Sequence, residues 1–133
     1  MLMCGNILNA GEWFTNYDQA LAQAQSTNKP ILVDFTGSDW CIWCMKLKSE
    51  VFSKTEFQSW AQNNVVLLEL DFPRNILQDD ATKNANEALR QKFGVNGFPT
   101  IVLLNPNGSE KARTGYRKGG ASAYTQYLDG LLK

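Results

Sequence analysis

Two cysteines separated by two residues, Cys41 and Cys44, are the side chains of this sequence best suited to chemistry. They follow a β-rich run (31–35) and a turn-forming stretch (36–40), and the residues after them favour a helix. Cys41 should therefore lie at a helix N-terminus, where unpaired backbone N–H groups and the helix dipole lower the pKa of a thiol. We expect Cys41 to be the exposed, attacking thiolate, and Cys44, one turn further in, to be the recessed thiol that resolves a mixed disulfide.

Other chemistry for these sulfurs is limited by what the chain lacks. The sequence contains no histidine, which removes Ser-His and Cys-His nucleophile pairs and the commonest transition-metal ligand. Three cysteines are too few for a closed structural zinc site of about four ligands, and Met45 stands where a c-type haem attachment needs histidine. We expect no metal and no cofactor. Inert, buried sulfurs remain the alternative to a redox pair, because free cysteine packs like a small hydrophobe.

The composition is typical of one globular domain. The chain has 133 residues, 44% of them hydrophobic, which is room for a single sheet covered by helices. Thirteen basic and thirteen acidic side chains cancel, so no overall field attracts nucleic acid. The longest apolar runs, such as 65–68 and 101–104, fall far short of the roughly 20 residues that span a bilayer. We expect a monomer with no membrane span.

The N-terminal residues carry neither the basic start nor the apolar segment of a secretory leader. We assign residues 1–11 to an extension, in which Cys4 is an incidental thiol, and residues 12–133 to the domain. The protein is then either cytosolic or an exported protein whose leader is absent from this sequence.

Hydrophobic patterning and turn residues predict helices that alternate with strands. Capping-box patterns at Thr15 and Thr55 open two helices, and Asp79 or Asp80 caps another that ends at Gly94. The predicted strands are 31–35, 65–71, 100–104 and 110–114, and the predicted helices are 15–28, 41–51, 55–61, 80–93 and 122–132.

These elements predict an α/β fold. We expect a central mixed sheet of about four strands, parallel in its βαβ portion and closed by an antiparallel hairpin, with helices on both faces. In the helix that follows the cysteines, Met45, Leu47 and Val51 should face the core. Six strand residues are also expected in the core: Val33, Phe35, Leu68, Leu70, Val102 and Leu104.

Two motifs, in this order, resemble the thioredoxin superfamily. Strand 31–35 followed by Trp40-Cys41-Ile42-Trp43-Cys44 is similar to that family's central strand and active-site turn. Residues 93–100 (Phe-Gly-Val-Asn-Gly-Phe-Pro-Thr) are similar to its later loop, in which a cis-proline faces the disulfide, and Gly115 matches a glycine near the same surface. The resemblance covers about residues 12–133. It implies a thioredoxin-like fold and a protein thiol-disulfide oxidoreductase.

Residues 35–41 (Phe-Thr-Gly-Ser-Asp-Trp-Cys) more narrowly resemble exported bacterial thioredoxin-like proteins of the Dsb type. The leaders of those proteins direct them to the periplasm. The resemblance therefore implies a periplasmic location, with the cytoplasm as the alternative. It implies disulfide-containing protein substrates and an upstream thiol electron donor as partners.

Asp34 is the candidate proton acceptor. It lies in a run that should be buried, and an unpaired buried carboxyl group has a raised pKa, so it could take a proton from Cys44 during exchange. Asp34 matches the buried acid of the family, although one more residue separates it from Cys41 than in the usual pattern. The strand 65–71 carries no lysine, so the acid-lysine pair of many thioredoxins is absent.

Aromatic residues and a proline are the candidate substrate contacts. Trp40 and Trp43 bracket the cysteines and would grip an apolar peptide, although plain packing is the favoured role for Trp40. A cis bond at Pro99, implied by the family resemblance, would expose the backbone of Phe98 for strand-like pairing with a substrate chain.

The dipeptide between the cysteines, Ile42-Trp43, predicts the direction of electron flow. Neither side chain supplies a charge that would stabilise the reduced form, and Asp34 and Asp39, if ionised, would disfavour a thiolate at Cys41. A less stabilised dithiol is a better reductant. We therefore predict a disulfide reductase. A disulfide isomerase, or a binding module of the same fold with a structural disulfide, are the alternatives.

Overall fold

A computed structural model describes residues 12–133. The predicted extension (1–11) and Cys4 lie outside the described residues. The strands are β1 (Trp13–Phe14), β2 (Ile31–Thr36), β3 (Val66–Asp71), β4 (Thr100–Leu104) and β5 (Glu110–Thr114). The α-helices are α1 (Tyr17–Thr27), α2 (Ile42–Leu47), α3 (Thr55–Asn64), α4 (Asp80–Lys92) and α5 (Gly120–Leu132), and a π-helical turn (Lys48–Phe52) continues α2.

The strands form one mixed sheet in the order β1-β3-β2-β4-β5. β3 pairs in parallel with β1 and β2, whereas β4 is antiparallel to both β2 and β5. The predicted mixed sheet and its closing hairpin are confirmed. The expected number of about four strands is too low, because the two-residue β1 is too short to leave a pattern in the sequence.

Helices cover both faces of the sheet, as predicted. All six residues of β2 are buried, because the strand is central and covered on both sides. One face packs against α1 and α4, and the other packs against α2, the π-helical turn, α3 and α5. The six strand residues predicted for the core are all buried, and all lie on the face that packs against α1: Val33, Phe35, Leu68, Leu70, Val102 and Leu104.

The structure corrects two of the predicted helix caps. Asn16, not Thr15, caps α1 by accepting a backbone N–H bond on its side chain. Lys54 has the extended backbone of the capping position of α3 and makes no side-chain cap bond, so the capping box at Thr55 is wrong. Thr55 already has helical backbone, from which its side chain cannot cap. Asp79 caps α4, as predicted.

The prediction that Met45 faces the core is also wrong, although Leu47 and Val51 are buried. Successive residues of an α-helix are turned about 100° apart. Because Cys44 faces the interior, its neighbour Met45 is carried to the surface, where it is 43% exposed. Among residues 12–133, no helix is long and apolar enough to cross a membrane.

Candidate active site

The two cysteines lie where β2 gives way to α2. The backbone N–H of Cys41 donates to Gly37 O (2.9 Å), which closes the turn between the strand and the helix. Cys41 is the N-cap of α2, and its Sγ accepts the backbone N–H of Cys44 at 3.2 Å. Gly37 is required here, because a Cβ at this position would overlap the indole of Trp40. The predicted position of Cys41 at a helix N-terminus is confirmed.

Cys41 and Cys44 form a disulfide, with their Cα atoms 5.2 Å apart. Each residue is only 6% exposed, so our prediction of an exposed Cys41 and a recessed Cys44 is wrong for the oxidised protein. The disulfide and the hydrogen bond from Cys44 N to Cys41 Sγ hold both sulfurs against the first turn of α2. The two sulfurs differ instead in their surroundings: Cys44 Sγ accepts from Gly37 N at 3.5 Å, and Cys44, unlike Cys41, lines a pocket.

Asp34 lies on β2 in the wall of the same pocket, which has a volume of about 370 Å³. Its carboxyl group is buried, and no described residue hydrogen-bonds to its Oδ1. Burial, followed by the negative charges of Glu69 and Asp71, raises the pKa of Asp34 well above its ordinary value, while the charge of Lys48 opposes the shift. The structure thus brings the predicted acid and Cys44 into one pocket.

Asp39 shows the opposite environment. Its carboxylate accepts three backbone N–H bonds, from Arg74 at 2.9 Å and from Asn75 and Ile76 at 2.7 Å each. These bonds lower the pKa of Asp39. Asp39 therefore fastens the loop after β3 to the turn that precedes the cysteines.

Trp40 packs beneath that loop, which is the role we favoured for it. Its indole N–H donates to Phe72 O (2.8 Å), and the guanidinium of Arg74 lies 3.6 Å from the ring centroid. The edge of the ring meets Phe98, with the centroids 5.8 Å apart.

Trp43 projects from the first turn of α2 and is 53% exposed. Its ring lies 5.0 Å from that of Tyr116, and the ammonium of Lys46 lies 5.1 Å from its centroid. The Phe98-Pro99 bond is cis, as the family resemblance implied. Gly115 lies beside this bond, since a Cβ there would be 3.3 Å from Pro99 O.

Sequence reasoning missed two members of the pocket, Glu69 and Lys48. Lys48 is exposed, yet its charge acts on Asp34. The sequence carries one signal for Glu69, since this acidic residue interrupts the apolar run of β3. Its position beside Asp34, however, depends on the register between β2 and β3, which are distant in sequence.

Comparison with known proteins agrees with this geometry. Residues 17–130 match the family described as Thioredoxin-like domain. The chain belongs to the thioredoxin-like family. Among curated relatives, it is 35% identical over 118 residues to the disulfide bond reductase DsbH of Chlamydia pneumoniae, covering 89% of this chain and 71% of that protein.

Two further relatives are much longer than this chain. The thioredoxin-related protein DsbJ of Chlamydia pneumoniae is 34% identical over 128 residues, which cover 91% of this chain but 37% of DsbJ. The thiol:disulfide interchange protein DsbD of Cronobacter sakazakii is 36% identical over 93 residues, which cover 70% of this chain but 14% of DsbD.

Solved structures confirm the thioredoxin-like fold. A DsbH oxidoreductase superimposes with a TM-score of 0.86 at 34% identity, covering 91% of this chain and 83% of that one. A thioredoxin from Thermus thermophilus, at 20% identity and a TM-score of 0.66, shares the fold, with coverage of 90% and 85%. This thioredoxin-like protein is a thiol-disulfide oxidoreductase of the Dsb type.

Proposed function

We propose that this protein reduces disulfides in other proteins, with Cys41 as the attacking thiolate and Cys44 as the resolving thiol. The observation that carries the assignment is the different surroundings of the two sulfurs. Cys41 caps α2, where backbone N–H groups favour a thiolate, and Cys44 faces the pocket that contains Asp34.

The proposed cycle transfers two electrons from the dithiol to a substrate disulfide. The Cys41 thiolate attacks one substrate sulfur, which breaks the substrate S–S bond and expels a thiolate. Asp34, in its carboxylate form, then takes the proton of Cys44, and the Cys44 thiolate attacks Cys41 Sγ. This step forms the Cys41-Cys44 disulfide and releases the second substrate thiolate. Water protonates the released thiolates, and an upstream thiol donor reduces the disulfide again.

Substrate binding is proposed for the surface around the disulfide. Trp43 offers an exposed aromatic face, the ring of Phe98 meets that of the partly buried Trp40, and Ile42 is 69% exposed. Such an apolar surface suits an extended or unfolded polypeptide rather than a small hydrophilic thiol. The names of the Dsb relatives support a periplasmic location, which we propose for this protein as well.

Few positively charged groups are available to stabilise a Cys41 thiolate. This favours a protein that reduces its substrates over one that oxidises them. Within residues 12–133, the hydrogen bond that reaches Cys41 Sγ comes from Cys44 N, and Ile42 and Trp43 carry no charge. The lowered pKa of Asp39 keeps a negative charge close by, which opposes a thiolate. The relative from Chlamydia pneumoniae is itself named a disulfide bond reductase.

Trapping of mixed disulfides tests the assignment of the two sulfurs. Cys44→Ser should accumulate mixed disulfides with protein substrates through Cys41, because no thiol remains to resolve them. Cys41→Ser is the matched control and should trap none. Equal trapping by the two variants would show that the assignment is wrong.

Turnover of insulin with dithiothreitol tests the reductase activity itself. The wild-type protein should accelerate the reduction, and neither cysteine variant should. A buried bridge with a purely structural role would give no acceleration. An isomerase would instead act chiefly on scrambled ribonuclease, in which disulfides must be rearranged without net reduction.

A further inference from the structure

The exposed large hydrophobic side chains of residues 12–133 are not scattered over the surface. They belong to two segments, the first turn of α2 and the loop after β3 (residues 72–79), and they are Ile42, Trp43, Met45, Ile76 and Leu77. Leu77 is 98% exposed, so it packs against almost nothing within those residues. Clustered exposed apolar side chains mark an interaction site, whereas single ones need no explanation. The proposed cycle gives the loop no part in binding.

Hydrogen bonds fix both halves of this loop. The first half is bound by the carboxylate of Asp39, whose Oδ2 accepts from Ile76 N at 2.7 Å. The second half is bound by Gln78 Nε2, which donates to Asp71 O at 3.1 Å. Asp39 precedes Cys41 by two residues, so the loop is fixed close to the disulfide. A surface that is already ordered loses little conformational entropy when a partner binds.

The sheet places the loop and Trp43 on opposite sides of the disulfide. β2, β3 and β5 all end at the same edge of the sheet, because β3 is parallel to β2, and β2 and β5 are both antiparallel to β4. The disulfide follows β2, the loop follows β3, and Tyr116, which packs against Trp43, follows β5. In the strand order β3-β2-β4-β5, β3 and β5 are three strand spacings apart, or about 14 Å. Two apolar contacts thus flank the cysteines.

This spacing fits an extended polypeptide. In a strand, residues two positions apart project to the same side, and each residue advances the chain by about 3.3 Å. Side chains two residues before and two residues after a cysteine therefore lie on the same side as the cysteine, about 13 Å apart. Cys41 and Cys44 are each 6% exposed, whereas Leu77 and Trp43 stand out from the surface. A flat folded partner would be held away from the sulfurs, but a single extended chain can lie between the two contacts.

We propose that the loop after β3 is a second substrate contact, at which Ile76 and Leu77 bind an apolar side chain on one side of the substrate cysteine, while Trp43 binds one on the other side. The occupant is an extended polypeptide with apolar side chains two residues before and two residues after its cysteine. This inference rests on the proposed reductase and deepens it, because it names the sequence that the protein selects. The chemistry of the cycle is unchanged.

Chromogenic peptides test this selection. Each peptide has one cysteine, joined by a disulfide to nitrothiobenzoate, and carries leucine two residues before the cysteine, two residues after it, at both positions or at neither, with serine as the replacement. Attack by Cys41 on the peptide sulfur forms a Cys41-peptide disulfide and releases the coloured nitrothiobenzoate thiolate, which is the better leaving group. The second-order rate constant of this release is measured with reduced protein in a Cys4→Ser background, in which Cys4 cannot react.

Each leucine should raise the rate constant about fivefold, which is the factor expected when roughly half of a leucine side chain leaves water. Leu77→Ser should abolish the advantage of one leucine position, and Trp43→Ser should abolish that of the other. Met45→Ser is the matched control and should keep both advantages, since Met45 is an exposed apolar side chain of α2 that lines the pocket of Asp34. The ratio between leucine and serine peptides cancels any general change in thiol reactivity, and Leu77 is exposed enough that its variant should fold.

Equal rate constants for all the peptides, both leucine advantages retained in Leu77→Ser, or the same advantage lost in Leu77→Ser and Trp43→Ser would each overturn the inference. So would sedimentation of the wild type as a dimer that Leu77→Ser dissociates, since the loop would then be an interface between two copies of this chain. The proposed reductase survives all of these results, because insulin reduction and trapping by Cys44→Ser test it separately. If the wild type reduces neither the peptides nor insulin, the proposed function fails as well.

Discussion

Asp34 and Asp39 belong to the same segment that leads to the cysteines, but one carboxyl group is buried and the other is held by backbone hydrogen bonds. Asp34 is buried and has an oxygen without a partner among the described residues. Asp39 is near the surface, and three backbone N–H groups surround its carboxylate. Burial raises the pKa of Asp34 and hydrogen bonding lowers the pKa of Asp39.

The difference separates a group suited to chemistry from a group suited to structure. A buried carboxyl group with few hydrogen bonds has a raised pKa, which makes its carboxylate form a better proton acceptor. A carboxylate held by several donors stays ionised and keeps its partners in place. The same substitution, Asp to Asn, should therefore have opposite consequences at the two positions.

The largest effect is expected from Asp34→Asn on the resolution of mixed disulfides. Without a proton acceptor beside Cys44, resolution should slow on the order of a hundredfold at neutral pH. Attack by Cys41 should change little. Stopped-flow measurement of the two steps with dithiobis(nitrobenzoate) distinguishes them, and Asp39→Asn is the matched control that should retain most of the resolution rate.

The pH dependence of stability should differ between the same two variants. The folded-state pKa of Asp34 lies above its ordinary value near 3.8. The contribution of Asp34 to stability is therefore fully present below pH 3.8 and is lost as the pH rises through the raised pKa. Asp34→Asn should remove this loss, so the free energy of unfolding of the variant should rise relative to that of the wild type as the pH increases. Urea denaturation at a series of pH values measures the gain.

Asp39 should show the reverse dependence. Its folded-state pKa lies below the ordinary value of 3.8, so its contribution is present above that value and is lost as the pH falls through the lowered pKa. In Asp39→Asn, one acceptor oxygen becomes an N–H₂ group that faces backbone donors. Hydrogen exchange of the Arg74, Asn75 and Ile76 amides should accelerate. Unchanged exchange would mean that Asp39 does not hold the loop.

The smallest effect is expected from the contact between Arg74 and Trp40 on the same loop. The guanidinium lies 3.6 Å from the indole centroid, and an exposed cation-π contact contributes about 0.5 kcal/mol. Arg74→Ala should lower stability by that amount and change the fluorescence of Trp40. Arg117→Ala is the control, because Arg117 makes a similar contact with Tyr127, 3.8 Å from the ring centroid. It should lower stability equally without altering the tryptophan signal.

Much of the fold could be predicted because local patterns and tertiary packing agree. The run 31–35 is apolar because it is buried on both faces, and the residues between β4 and β5 form the predicted turn. The outward position of Met45 could not be read from composition, because it depends on which residue of the helix faces the sheet. β1 leaves no pattern, since two residues are too few for a period.

The candidate site was predictable where it depends on neighbours in sequence. The spacing of Cys41 and Cys44 and the strand before them predict the helix cap. The equal burial of the two sulfurs, and the pocket wall formed by Glu69 and Lys48, come from elements that meet only in the folded chain. The three donors that hold Asp39 belong to a distant loop, which the sequence shows only as exposed turn residues.

The reduction potential of the Cys41-Cys44 pair tests the proposed reductase most directly. The protein is equilibrated with glutathione and dithiothreitol buffers of known potential, and the reduced fraction is followed by thiol alkylation in the Cys4→Ser background. We predict a value near that of thioredoxin, about −270 mV. A value near the strongly oxidising end, about −120 mV, would contradict the assignment and make the protein a donor of disulfides rather than a reductase.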